Sequence, residues 1–152
     1  MQLETTTSKH ISELYRYLRV SDLIELKAAA GFVAEYLITD SVQKSVWVKT
    51  AVSFKGQTMA IGGLVPLPNQ SKKAAVWMLG TSLVSKHKAA FAFLPQQAIK
   101  AAQELGFQEI FNYVLEQNSI SLRWLEKNGF TIGNKINFGA EQKKFYYVFK
   151  RI

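Results

Sequence analysis

Residues 110–130 narrow the fold of this chain more than any other stretch. Ile110-Phe-Asn-Tyr-Val-Leu115 is a short apolar and aromatic run of strand length. Asn118 follows, a residue type that caps helices by accepting a backbone N–H through its side chain. Ser119 to Asn128 reads as the helix it opens, Gly129 supplies a left-handed stop, and Phe130 returns the chain to apolar structure. A strand followed at once by a capped helix and another strand is a unit of a mixed α/β domain.

The rest of the chain sorts into elements around that unit. Ile11, Leu14, Tyr15 and Leu18 recur at helical spacing, with Thr7 or Ser8 available as caps. A second helix is predicted from Ser21-Asp22 to Gly31, with Asp22 and Glu25 read as a capping box, and residues 32–44 add a further helical turn or two. The period then changes to two. Val46 to Phe54, Gln57 to Val65 and Ala74 to Val84 are predicted as three antiparallel strands, with a turn at Lys55-Gly56 and a loop over Pro66 to Gln70. Residues 89–105 read as a helix that must accommodate Pro95. A closing strand carries Phe145, Tyr147 and Phe149, after a loop marked by Gly133, Asn134, Asn137 and Gly139. The strand–helix–strand step over 74–115 implies a parallel crossover. The expected class is α/β (α+β mixed sheet): one domain spanning 1–152, with helices on both faces of a central mixed sheet.

Composition bounds the chemistry. The 152 residues contain no cysteine, which removes disulfides and thiolate nucleophiles and suits a reducing cytoplasm. His10 and His87 are the two histidines and lack ligand-like spacing, so no metal site is expected. No segment reads as a membrane span or a signal peptide. The formal net charge of +8 favours anionic partners, among them nucleic acid and phosphate-rich cofactors, and equally serves solubility.

The order of elements and the residues Val114, Asn118, Trp124-Leu125, Glu126-Lys127, Gly129 and Phe130 resemble the GCN5-related N-acetyltransferases, the GNAT superfamily. Ser21-Asp22-Leu-Ile-Glu25-Leu26, Trp77-Met-Leu-Gly80-Thr81, and Asn112 with Asn118 and Arg123-Trp124-Leu125 look like a narrower group, the acetyltransferase-like internal-virion or morphogenesis proteins of short-tailed phages. The resemblance implies a GNAT-like acyl-CoA N-acyltransferase fold, acetyl-CoA as co-substrate, and direct transfer to an amine. It implies that Leu83, Val84, Ser85, Lys86, His87, Lys88, Ala89 and Ala90 form the cofactor junction with Asn118, and that Asn112 faces the site; by position, Glu116, just past the 110–115 strand, is the candidate base, and Thr81, on the facing strand, orients substrate. The chain departs from the family twice. The glycine-rich phosphate loop is absent, with no glycine between Gly80 and Gly106, and Leu125 stands where many GNAT enzymes carry a proton-donating tyrosine. Two further readings stand beside the enzyme: an idle GNAT-fold protein of phage assembly or host binding, in host cytoplasm or virion, and a basic nucleic-acid binder.

Overall fold

A computed structural model describes the backbone of residues 1–152 and every side chain except those of 88–91. The elements are β1 (Gln2–Thr5), α1 (Ser8–Arg16), α2 (Val20–Ala30), α3 (Glu35–Lys44), β2 (Trp47–Val52), β3 (Thr58–Leu67) and β4 (Gln70–Gly80). A 3₁₀ turn (Ser82–Lys86) leads to α4 (Lys88–Glu104), β5 (Glu109–Leu115), α5 (Ser119–Lys127), β6 (Thr131–Phe138) and β7 (Lys143–Arg151). The strands form one seven-stranded sheet in the order β1-β2-β3-β4-β5-β7-β6. All neighbours are antiparallel except β4 and β5, which are parallel as the crossover through α4 requires. The mixed α/β sheet expected from the sequence is the one observed.

Helices cover both faces. Ile11 and Leu14 of α1 and Ile38 of α3 pack on Ile61 of β3. On the opposite face Ala101 and Ala102 of α4, with Leu122 and Leu125 of α5, close over Ile110, Val114 and Val148. Thr7 caps α1 in a reciprocal box: its hydroxyl accepts the His10 N–H, and His10 Nδ1 accepts the Thr7 N–H.

Several predicted boundaries need correction. β1 was absent from the sequence reading. Residues 32–44 hold the full ten-residue helix α3. β3 runs through Pro66, and β4 begins at Gln70 and ends at Gly80, with Leu83 and Val84 in the 3₁₀ turn beyond it. Pro66 is tolerated because β2 pairs with β3 no further than Leu64, so no neighbour there lacks the missing donor. Gly133, Asn134 and Asn137 lie inside β6, where a register irregularity between Ile132 and Lys135 absorbs two of them. Pro95 sits inside α4.

Candidate active site

β4 and β5 pair over three residues, Lys73↔Glu109 to Ala75↔Phe111. Beyond Ala75 they diverge. Val76 to Gly80 stay paired with β3, and Asn112 to Leu115 with β7. A notch opens in the middle of the sheet. Its β4 edge can be read from Gly80, whose N–H donates to Asp22 Oδ2 at 2.8 Å and whose carbonyl accepts the Arg19 N–H at 2.9 Å, both on the notch side. Alternation along an antiparallel ladder turns the peptide groups of Met78 and Val76 to the same side. The segment Tyr17–Arg19 therefore closes the outer end of the edge, with Leu18 bridged to Thr81, and leaves its inner end facing the notch.

The notch holds a cavity of about 70 Å³. Val76, Trp77 and Met78 line it from β4, Asn112 and Val114 from β5, and Leu94, Pro95, Ala98 and Ile99 from α4. α5 adds Asn118, Ser121, Trp124 and Leu125, and α2 adds Asp22 and Glu25. Arg19, Asn118, Ser121 and Trp124 also border a wider cleft of about 910 Å³, so the two adjoin. Ser82, Val84, Ser85 and Ala92 form one wall of that cleft, and Ile120, Arg123 and Lys127 the other. Arg19, Arg123 and Lys127 are its charged lining, with no carboxylate among the described residues. A cationic cleft thus narrows into a mostly apolar notch.

The polar end of the notch is built by α2. This helix packs inside out: Val20, Leu23 and Ile24 are exposed, while Asp22 is buried and Glu25 half-buried. Asp22 is fully engaged, by Arg19 Nε and Nη2 at 2.9 Å each and by Gly80 N–H. Asp22 and Glu25 are therefore not a capping box, and α2 has no side-chain cap. Glu25 Oε2 accepts from Asn118 Nδ2 at 2.7 Å. Desolvation pushes the Glu25 carboxyl up to about 7, against the opposing pull of the Asn118 hydrogen bond; Asp22 adds to the rise, and the Leu115 N–H and Arg19 oppose it.

The expected site residues do not converge on one place. Asn112 and Asn118 line the notch, and Asn118 also caps α5 by accepting the Ser121 N–H at 3.4 Å. Val84 and Ser85 line the outer cleft, whereas Leu83 borders a separate depression beside Glu13 and Arg16, and exposed Lys86 and His87 line neither. The side chains of Lys88, Ala89 and Ala90 lie outside the described residues. Thr81 is buried with its hydroxyl donating to the Thr58 and Met59 carbonyls, away from the cavity. Glu116 sits on the surface with its carboxylate 2.7 Å from Lys135 Nζ. Sequence reasoning missed Glu25, Arg19, Arg123 and Lys127 as site residues. The signal for Glu25 was its position: Asp22, Glu25, Ala28 and Ala29 share one face of the helix, and small residues on a face mark close packing.

This split sheet superposes over nearly its whole length on solved N-acetyltransferases, a GCN5-related one from Kribbella flavida among them. The chain has the GNAT fold. Ard1 from Thermoplasma volcanium superposes with a TM-score of 0.79 at 15% identity, over 99% of this chain and 97% of its own. Ribosomal-protein-alanine N-acetyltransferase from Brucella melitensis gives 0.77 at 14%, over all of both chains (100% and 100%). The PaiA N-acetyltransferase from Thermoplasma acidophilum, solved with coenzyme A, gives 0.68 at 15%, over 99% and 98%. No protein-family model and no curated protein matches the sequence. At such identities the likeness extends to the backbone, and the chemistry must come from the residues present.

Proposed function

We propose that this chain is an acetyl-CoA-dependent N-acyltransferase that acetylates an amine. The observation that carries the reading is the cationic cleft narrowing into the β4–β5 notch. A coenzyme A thioester has that polarity: a phosphate-bearing end, an amide-bearing arm and an apolar acyl tip. Arg19, Arg123 and Lys127, with the Ser85 hydroxyl, would hold the phosphates; the Val76 and Met78 peptide groups would hold the arm. This moves the charge on the phosphates away from Lys86 and His87, which point elsewhere, and onto α5. Arginine and lysine on a helix supply from side chains what a glycine-rich loop supplies from backbone N–H groups. The bound thioester would supply an acyl carbon activated toward amines. Asn112 would orient the acceptor from β5, and α4 and α5 exclude water with Leu94, Trp124 and Leu125.

The test is a thermal-shift titration. A ligand that binds only the folded chain stabilises it by about 2.7 kcal/mol at a hundred times its Kd. Acetyl-CoA should raise the melting temperature, and Arg123→Ala with Lys127→Ala should weaken the effect at least tenfold in apparent Kd. No shift at millimolar acetyl-CoA sinks the proposal. The competing reading is an idle GNAT-fold phage protein of virion assembly or host binding. The occupied Gly80 edge is the observation on its side, and, once binding is seen, free-thiol release with and without candidate amines separates the two.

A further inference from the structure

We infer that Glu25, held by Asn118 at the inner end of the notch, is the group that takes the proton from the acceptor amine. This rests on the transferase reading and adds a catalytic residue to it.

Four observations lead there. First, position: Glu25 lines the cavity between the β4 edge and the α5 N-terminus, where Asn112 and Asn118 also converge. Second, availability. The notch contains two carboxylates, and Asp22 is already committed to Arg19 and to the Gly80 N–H. Glu25 takes its side-chain hydrogen bond from a neutral group, the Asn118 amide, which orients it without neutralising it. Third, orientation. Asn118 Oδ1 accepts the Ser121 N–H at the start of α5, so its Nδ2 is turned toward Glu25. The helix cap and the carboxylate are held by opposite ends of one amide, which makes Asn118 a positioning residue. Fourth, basicity. The Glu25 carboxyl titrates at about 7, where a base is both ionised and strong enough to accept a proton at neutral pH. Asp22 and Arg19 are the charged groups that share the cavity with it; β4, β5, α4 and α5 present none to its described lining. Glu116 does not line the notch; its carboxylate is paired with Lys135 at the surface.

The step balances without a further reagent. The acceptor ammonium gives one proton to the Glu25 carboxylate and becomes a free amine. Its lone pair forms the C–N bond to the thioester carbon, the C–S bond breaks, and its electron pair leaves on sulfur. The second nitrogen proton passes to the thiolate, and Glu25 returns its own to solvent.

The test uses the whole chain, acetyl-CoA and a panel of primary amines, with free-thiol release as the readout over pH 5–9. Wild-type transfer should rise with pH around a midpoint near 7. Glu25→Gln should lose about 100-fold or more in rate while keeping the melting shift with acetyl-CoA. Asn118→Ser keeps an oxygen for the Ser121 N–H but deletes the Nδ2 donor that lowers the Glu25 pKa, so its midpoint should move upward. The assignment is overturned if Glu25→Gln retains more than about a third of the rate, or if it loses acetyl-CoA binding with the rate, which makes Glu25 a binding group. An unmoved midpoint in Asn118→Ser removes Asn118 from the assignment. If wild type shows neither a melting shift nor thiol release with any amine, the transferase reading fails and takes this one with it.

Discussion

A carboxylate desolvated between a helix and a strand end penalises its own ionisation, and Glu25 carries that penalty into the stability of the chain. Its folded-state pKa, about 7, lies above the ordinary 4.5. A raised folded pKa means that the folded state holds the proton more tightly than the unfolded state does. The resulting stabilisation is fully present below pH 4.5 and is lost as pH rises through 7. The full shift corresponds to about 3 kcal/mol. Glu25→Gln stays neutral and keeps an oxygen for Asn118. It should match wild type in urea denaturation near pH 4 and exceed it at pH 8 by about 1–3 kcal/mol. A gap that is the same at both pH values would show that Glu25 is not desolvated. Asn118 was legible from sequence because capping is local: the side chain and the N–H it accepts lie three residues apart. The partner of Glu25 lies 93 residues away, and its three-residue spacing from Asp22 imitated a capping box. Spacing alone cannot tell a cap from a buried face.

At the scale of elements, α2 decides where that face points. It is pinned at both ends. Its N-terminal end is tied to β4 through Arg19 and Asp22. Its C-terminal end, closed by Gly31 at φ 86°, receives the β6–β7 turn: the Ala140 N–H donates to the Ala29 carbonyl at 2.8 Å. Gly139 makes that contact possible. It has φ 80°, and a Cβ there would stand 2.7 Å from Ala29 Cα. Gly139→Ala combines left-handed strain with a backbone clash and should cost about 3 kcal/mol in chemical denaturation. Because the clash pushes on α2, acetyl transfer should fall with it. An alanine variant of wild-type stability would mean that the turn moves freely away from the helix. The sequence signals for α5 and β5 were strong for the same reason that those for β1 and β6 were weak. β5 carries its own apolar run and α5 its own cap. β1 is four residues long, and its partner β2 begins more than forty residues later. Gly133 and Asn134 have turn chemistry, and only pairing with β7 converts them into a bulge.

Across the whole molecule, the +8 charge is put to local use: Arg19, Arg123 and Lys127 converge on one cleft, an arrangement invisible to composition because it depends on α2 and α5 facing each other. Among the described residues, no helix is long and apolar enough to cross a membrane. The sheet is a single layer whose two halves are joined by the three pairs between β4 and β5. That junction has a consequence for association. A notch in a sheet is a pair of strand edges, and unpaired edges template pairing with other chains. Here the outer end of the β4 edge is covered by Arg19 and Asp22. The same contact that shortens the edge open to a ligand keeps it from a neighbouring molecule. Asp22→Ala should therefore form oligomers in light scattering at concentrations where wild type and Glu25→Gln do not, and acetyl-CoA should suppress them by filling the notch. A monodisperse Asp22→Ala would assign the contact to docking α2 alone. The Asp22 carboxylate on the Gly80 N–H and the Arg19 N–H on the Gly80 carbonyl together do for the end of a strand edge what a second strand would otherwise do.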